Sequence, residues 1–144
     1  MKKVLWGLFI LIFSSLPLSA EEYEFRGKHL VAQYLGCNQE ALRDVETLQQ
    51  VMLKAAESCG AQVIGHISKI FEPHGLTMVI MLSESHASIH TYPEHGACFV
   101  DLFTCGDKCD HVVFSAALQT HLRAAKINQK VLVRHHDFED HDVD

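Results

Sequence analysis

No apolar run in this chain of 144 residues reaches the about 20 residues that a membrane-spanning helix needs. Clustered Lys and Arg are scarce as well. Twelve basic residues stand against eighteen acidic ones, for a formal charge of -6, which argues against a nucleic-acid surface because phosphate binding depends on grouped cations. A nucleotide phosphate loop, a sequence repeat and an interdomain linker are all missing, and no ligand spacing matches a standard four-ligand zinc site. The five cysteines, Cys37, Cys59, Cys98, Cys105 and Cys109, are an odd number, so at least one cannot pair within the chain. What remains is the composition of an ordinary globular protein, 48% hydrophobic and 21% charged, long enough for one domain with a real core.

The first twenty residues read differently from the rest. Lys2 and Lys3 precede a short apolar run over 4–13, which leads to Ser14, Ser15, Leu16, Pro17, Leu18, Ser19 and Ala20 and then to Glu21 and Glu22. A basic start, an apolar centre and a small-residue end make the three-part pattern of a secretory signal peptide, with Ala20 before the cut. Residues 1–20 are therefore expected to be a leader, 21–134 the domain and 135–144 a loose tail rich in His and Asp.

Within the domain, residues 28–35 roughly alternate polar and apolar, as a half-buried strand does. Gly36-Cys37-Asn38 breaks the strand, and Asn38 suits a helix N-cap. Over 39–58 the residues Ala41, Val45, Leu48, Met52 and Ala55 recur every three or four positions, so one helix is expected, ended by Gly60. Strands are expected at 63–71 and 76–82 around the turn Glu72-Pro73-His74-Gly75, and again at 86–91 and 96–104. Asp110 would cap a second helix to about residue 125, with Val113, Ala116, Ala117 and Leu122 inward, and 130–134 would be a last strand. This order implies an α+β fold, a two-layer sandwich with helices on one face of a mostly antiparallel sheet.

The chemistry concentrates in residues 82–107. Ser85, Ser88, His86, His90 and Cys105 are candidate nucleophiles, bases and acids. On a strand, His86, Ser88 and His90 would share one face. Residue types alone equally allow a polar strand face whose side chains simply satisfy one another.

The ordered run Glu84-Ser85-His86-Ala87-Ser88-Ile89-His90-Thr91, then Pro93-Glu94, then Phe103-Thr104-Cys105-Gly106-Asp107, closely resembles the signature of the small prokaryotic S-adenosylmethionine decarboxylases. Gly27-Lys28-His29-Leu30 and Tyr34-Leu35-Gly36-Cys37 resemble that family's opening strand, so the likeness spans about residues 28–133. It implies a proenzyme that cuts itself between Glu84 and Ser85: the Ser85 hydroxyl attacks the Glu84 carbonyl, the resulting ester is eliminated to dehydroalanine, and hydrolysis leaves a pyruvoyl group. A β chain ending at Glu84 and an α chain starting at the former Ser85 would stay packed together. The pyruvoyl cofactor then forms a Schiff base with the substrate amine and serves as electron sink for loss of carbon dioxide.

By the same resemblance, His90 serves self-processing and Cys105 returns a proton to the substrate carbon. Phe71 stacks on the adenine ring, and Glu94 and Thr77 support the site. The expected substrate is S-adenosylmethionine, decarboxylated to supply the aminopropyl donor for spermidine synthesis; the expected partner is a second cleaved protomer in a homodimer, with no resident metal and no nucleic acid. Tyr92 stands where the family usually has Trp, His95 where Tyr is common, and Cys98 where a small residue is usual. These departures bear on the substrate, since relatives of the fold decarboxylate arginine or ornithine. The leader points to export, whereas the family is cytoplasmic. Other classes are a non-cleaving homologue and an envelope protein that binds metal through some of its eleven histidines, Cys105 and Cys109, and the tail residues His135, His136 and His141.

Overall fold

The computed structural model describes residues 25–83 and 85–135. Six strands form one sheet: β1 (Arg26–Leu35), β2 (Val63–Phe71), β3 (Gly75–Leu82), β4 (Ser85–Tyr92), β5 (Ala97–Cys105) and β6 (Lys126–His135). Their order across the sheet is β2-β3-β4-β5-β1-β6, and every neighbouring pair is antiparallel. Three helices, α1 (Gln39–Arg43), α2 (Val45–Ser58) and α3 (His111–Leu122), complete the described part of the domain, with one 3-10 turn at Pro93–His95. The expected α+β sandwich is what forms.

Period-two patterning fixes which face the helices cover. Leu30, Ala32 and Tyr34 of β1, Met78 and Ile80 of β3, Ala87 and Ile89 of β4, and Val100 and Leu102 of β5 are all buried. Leu48, Met52 and Ala55 of α2 and Phe114, Leu118 and Leu122 of α3 close over them. Each large side chain removed from water contributes roughly 1.5–3 kcal/mol. A polar intrusion into this core is satisfied: the Tyr34 hydroxyl meets Ser115 Oγ at 2.8 Å, and that Ser115 hydroxyl donates to Gln129 Oε1 at 2.7 Å.

Three of the expected elements need correction. The helix expected over 39–58 is two helices, because Asp44 leaves helical geometry and its carboxylate accepts from Thr47 N at 3.1 Å, capping α2. Leu42, not Ala41, is the buried residue of α1. In α3 the inward residues are His111, Phe114, Ser115, Leu118 and Leu122, while Val113 and Ala116 face out. That helix stops at Leu122, where Arg123 turns left-handed. The last strand is longer than 130–134, since pairing with the whole of β1 recruits Lys126 to His135. The leader, Glu84 of the expected cleavage point and residues 136–144 lie outside the described residues.

Candidate active site

The sheet's second face presents the chemistry. Register places Ile67, Val79, Ser88, Asp101, Val31 and Lys130 in one row across it, and His86, Ser88, His90 and Tyr92 alternate out of β4 on this side, as period two requires. The face is apolar as well as polar: Ile67 is 73% exposed, Met81 55%, Phe71 46% and Phe99 42%.

At one end of β4, Ser85 opens the strand opposite Thr104, with Cys105 one residue beyond. The Ser85 Oγ lies 3.2 Å from His86 Nδ1. Its φ of 155° is a conformation that L residues rarely adopt, and such backbone costs of order 1–3 kcal/mol. Cys105 is half-buried and pairs in register with Gly27. A Cβ at position 27 would lie 2.5 Å from the Phe103 ring, which would have to swing aside. That ring packs against His86 and His29, with Arg134 above it at 4.5 Å.

At the other end of β4, His90 pairs with Thr77 and Phe99. Its Nδ1 hydrogen-bonds the Thr77 hydroxyl, which fixes the ring. Tyr92 packs edge-on to His90 at 4.6 Å between centroids and to Phe99 at 5.3 Å; Phe71 lies 6.2 Å from His90 on its other side. The β3–β4 ladder closes with Leu76 N donating to Thr91 Oγ1 at 2.8 Å, beside the turn that carries the cis Glu72–Pro73 bond. Phe71, His90, Thr91 and Tyr92 line a cleft of about 510 Å³ together with Glu94, Glu72 and Arg43.

Phe71, Glu94, Thr77 and His90 therefore come together, Ser85 and Cys105 lie at the other end of the β4–β5 ladder, and the two groups do not meet within one protomer. Ser85 and His90 are five residues apart on one strand, roughly 16 Å at about 3.3 Å per residue. Between them lies a cluster the sequence reading passed over. Ser88 donates to Asp101 Oδ2 at 3.1 Å, and His29 Nε2 lies 3.7 Å from Asp101 Oδ1. That nitrogen is shielded from solvent without a hydrogen-bond partner, and burial, outweighing the nearby Asp101, lowers the His29 pKa. Only the pairing register, which alternation alone does not supply, joins Ser88, Asp101 and His29. Arg43 was missed for a similar reason: it reaches the cleft only because α1 ends there. Among the described residues, no three His, Cys, Asp or Glu side chains converge as a metal site.

Comparison with known proteins agrees with this geometry. Residues 28–135 match the family model for S-adenosylmethionine decarboxylase. A Brevibacillus brevis protein named S-adenosylmethionine decarboxylase proenzyme is 42% identical over 113 residues, 78% of this chain and 85% of the relative. One of the same name from Thermotoga maritima is 38% identical over 102 residues, 71% of this chain and 78% of the relative. The crystal structure of the adenosylmethionine decarboxylase from Aquifex aeolicus superposes with a TM-score of 0.70 at 32% identity, covering 76% of this chain and 90% of that one. The chain belongs to the S-adenosylmethionine decarboxylase family.

Proposed function

We propose that this protein is a self-cleaving decarboxylase acting on S-adenosylmethionine, and that its working form is a homodimer with composite sites. The observation that carries the reading is the division of the functional residues between the two ends of β4. A second copy laid face to face on the sheet, related by a two-fold axis running across the strands near Ser88 and Asp101, keeps each strand's lateral place and exchanges its ends. Ser85 and Cys105 of one protomer then face the partner's His90. The exposed Ile67, Met81 and Phe99 support burial of this face.

Ser85 suits its role chemically. It stands half-buried at the head of a strand, in a backbone conformation whose strain cleavage relieves. Its Oγ attacks the Glu84 carbonyl, the acyl group passes from nitrogen to oxygen, and loss of the Cα proton expels the Glu84 carboxylate. Hydrolysis of the resulting dehydroalanine releases ammonia. The pyruvoyl group so formed supplies a ketone able to take up the electrons released as carbon dioxide leaves. Thr77 holds His90 in the orientation that moves the proton during elimination. Phe71 offers a half-exposed aromatic face for a purine, and Glu94 and Glu72 give the cleft negative charge for a sulfonium substrate. Cys105, next in sequence to Thr104 opposite Ser85, returns a proton to the substrate carbon.

The leader pattern over residues 1–20 gives the reading a second part, export of the enzyme from the cytoplasm. The same decarboxylation supplies an aminopropyl donor for spermidine synthesis.

Intact mass under denaturing, reducing conditions tests the cleavage. Two fragments divided between Glu84 and Ser85, the second starting with a pyruvoyl residue, are the expected result, followed by carbon dioxide release from S-adenosylmethionine in preference to arginine or ornithine. An uncut chain with Ser85 intact after long incubation would overturn it.

A further inference from the structure

Four of the five cysteines are buried on the helix side of the structure, away from the chemistry assigned above. Cys59 caps the C-terminus of α2, and Cys109 lies just before α3. Their sulfurs are 2.6 Å apart, although 50 positions separate them in sequence. The backbone enforces this approach. Asp110 N donates to Cys59 O at 2.8 Å, and Gly60, at φ +97°, passes so near Lys108 that a Cβ would sit 2.7 Å from its carbonyl oxygen. Only glycine allows that passage.

We infer that Cys59 and Cys109 form a disulfide, and that this bond joins the two chains produced by self-cleavage. Cys59 lies before the cleavage point and Cys109 after it, so the second half of the inference rests on the proposed cut at Ser85. The sulfurs need to close by only about half an ångström to reach the roughly 2.05 Å of the covalent bond. The bond also resolves the odd cysteine count in favour of the chemistry. Cys105 is only four residues from Cys109, yet it lies on β5 in register with Gly27, on the open face. Cys109 turns the other way, under the helices, so pairing it with Cys59 leaves Cys105 a thiol.

The oxidation balances as thiol–disulfide exchange with a donor disulfide, small-molecule or protein. The Cys59 sulfur attacks the donor and expels one donor thiolate, forming a mixed disulfide. The Cys109 sulfur attacks the Cys59 sulfur and expels the second donor thiolate. Both cysteine protons leave and the donor takes up two electrons. Hydrogen bonding to Cys109 lowers the Cys59 pKa more than burial raises it, which favours Cys59 as the attacking group. The leader pattern at the N-terminus fits a destination where such donors prevail.

The test is made on the full chain carrying Cys98→Ala, because the thiols of Cys37 and Cys98 also touch across the cleavage point. The protein is equilibrated with glutathione disulfide, alkylated, and digested without reduction. The expected product is one linked pair of peptides holding Cys59 and Cys109, lighter by two hydrogens than the two alone, with Cys105 alkylated. Before digestion, the cleaved protein runs as one band without reductant and as two with it; adding Cys109→Ser gives two bands in both lanes. Alkylated Cys59 and Cys109 after equilibration would overturn the inference. A Ser85→Ala chain separates the two readings: the linked peptides remain there whether or not the parent chain cleaves. Fragments that part without reductant would sink the cross-link and leave cleavage standing.

Discussion

Ser85 and His90 occupy opposite ends of the same strand, β4, and among the described residues only His86 places an imidazole nitrogen 3.2 Å from the Ser85 hydroxyl in one protomer. A composite dimer site predicts that inactive variants rescue each other. His90→Ala and Cys105→Ala, each alone, should lose nearly all decarboxylation. Co-expressed in equal amounts, they form mixed dimers in which one site has every group intact and the other lacks both. About a quarter of all sites are then complete, so activity should recover to about 25% of the unmodified level. Activity no higher than either variant alone would mean that each protomer builds its site by itself, with His86 in place of His90.

Thr77 should matter through His90 alone. Its hydroxyl meets Nδ1 of that ring and fixes which nitrogen faces outward. Thr77→Val keeps the shape and removes the bond, and one hydrogen bond of this kind carries about 0.5–1.5 kcal/mol. Self-cleavage should slow by about 3- to 10-fold, and Thr77→Ser should restore it. The check is the rate at which intact chain disappears in freshly refolded protein. Equal rates for the Val and Ser variants would show that the bond does not orient the catalytic ring.

Phe71 should affect substrate binding and leave processing alone. It borders the cleft 6.2 Å from the His90 ring and is 46% exposed, room enough for a flat ring to lie on it. Aromatic stacking contributes about 0.5–1.5 kcal/mol beyond area burial. Phe71→Leu should therefore raise KM for S-adenosylmethionine by roughly 3- to 10-fold while kcat and the extent of cleavage stay within a factor of about two. A fall in kcat at constant KM would instead place Phe71 in control of the His90 position.

These predictions show where sequence was enough and where it was not. The strands from Leu76 to Thr104 were legible because one face of each is buried, and burial imposes period two on the residues. Helix α3 was misread along its inward stripe. Phe114 and Leu118 set its true face, but Val113 and Ala116 are equally apolar on the outside, so hydrophobicity around the helix hardly discriminates. The break at Asp44 was hidden for another reason: the apolar spacing runs through it, and only the capping bond to Thr47 shows that the helix restarts. The motif groups Ser85, His90 and Cys105 in one stretch, yet their division between the two ends of β4 is a fact of register. A linear motif such as Ser85 to His90 names candidate groups without saying which of them face each other.

Acid stability should depend on His111, at the start of α3. Its ring is buried between the sheet and the helices, with Nε2 3.3 Å from the Lys28 carbonyl oxygen and 3.5 Å from Thr104 Oγ1. Nε2–H donates to that carbonyl in the neutral ring. Burial lowers the His111 pKa below its ordinary 6.5, although the Lys28 carbonyl pulls the other way. The folded state therefore takes up this proton at lower pH than the unfolded chain does. Where the unfolded chain binds more protons, stability rises with pH. The contribution is whole above about pH 6.5 and declines as the pH falls toward the lowered folded-state value. His29 adds to the same slope, since its pKa is lowered by burial too. Urea midpoints measured from pH 8 to pH 5 should stay level to about 6.5 and then drop. His111→Gln, a neutral side chain able to donate to the same carbonyl, should make the drop shallower. An unchanged slope in that variant would assign the acid sensitivity to His29 or to the carboxylates.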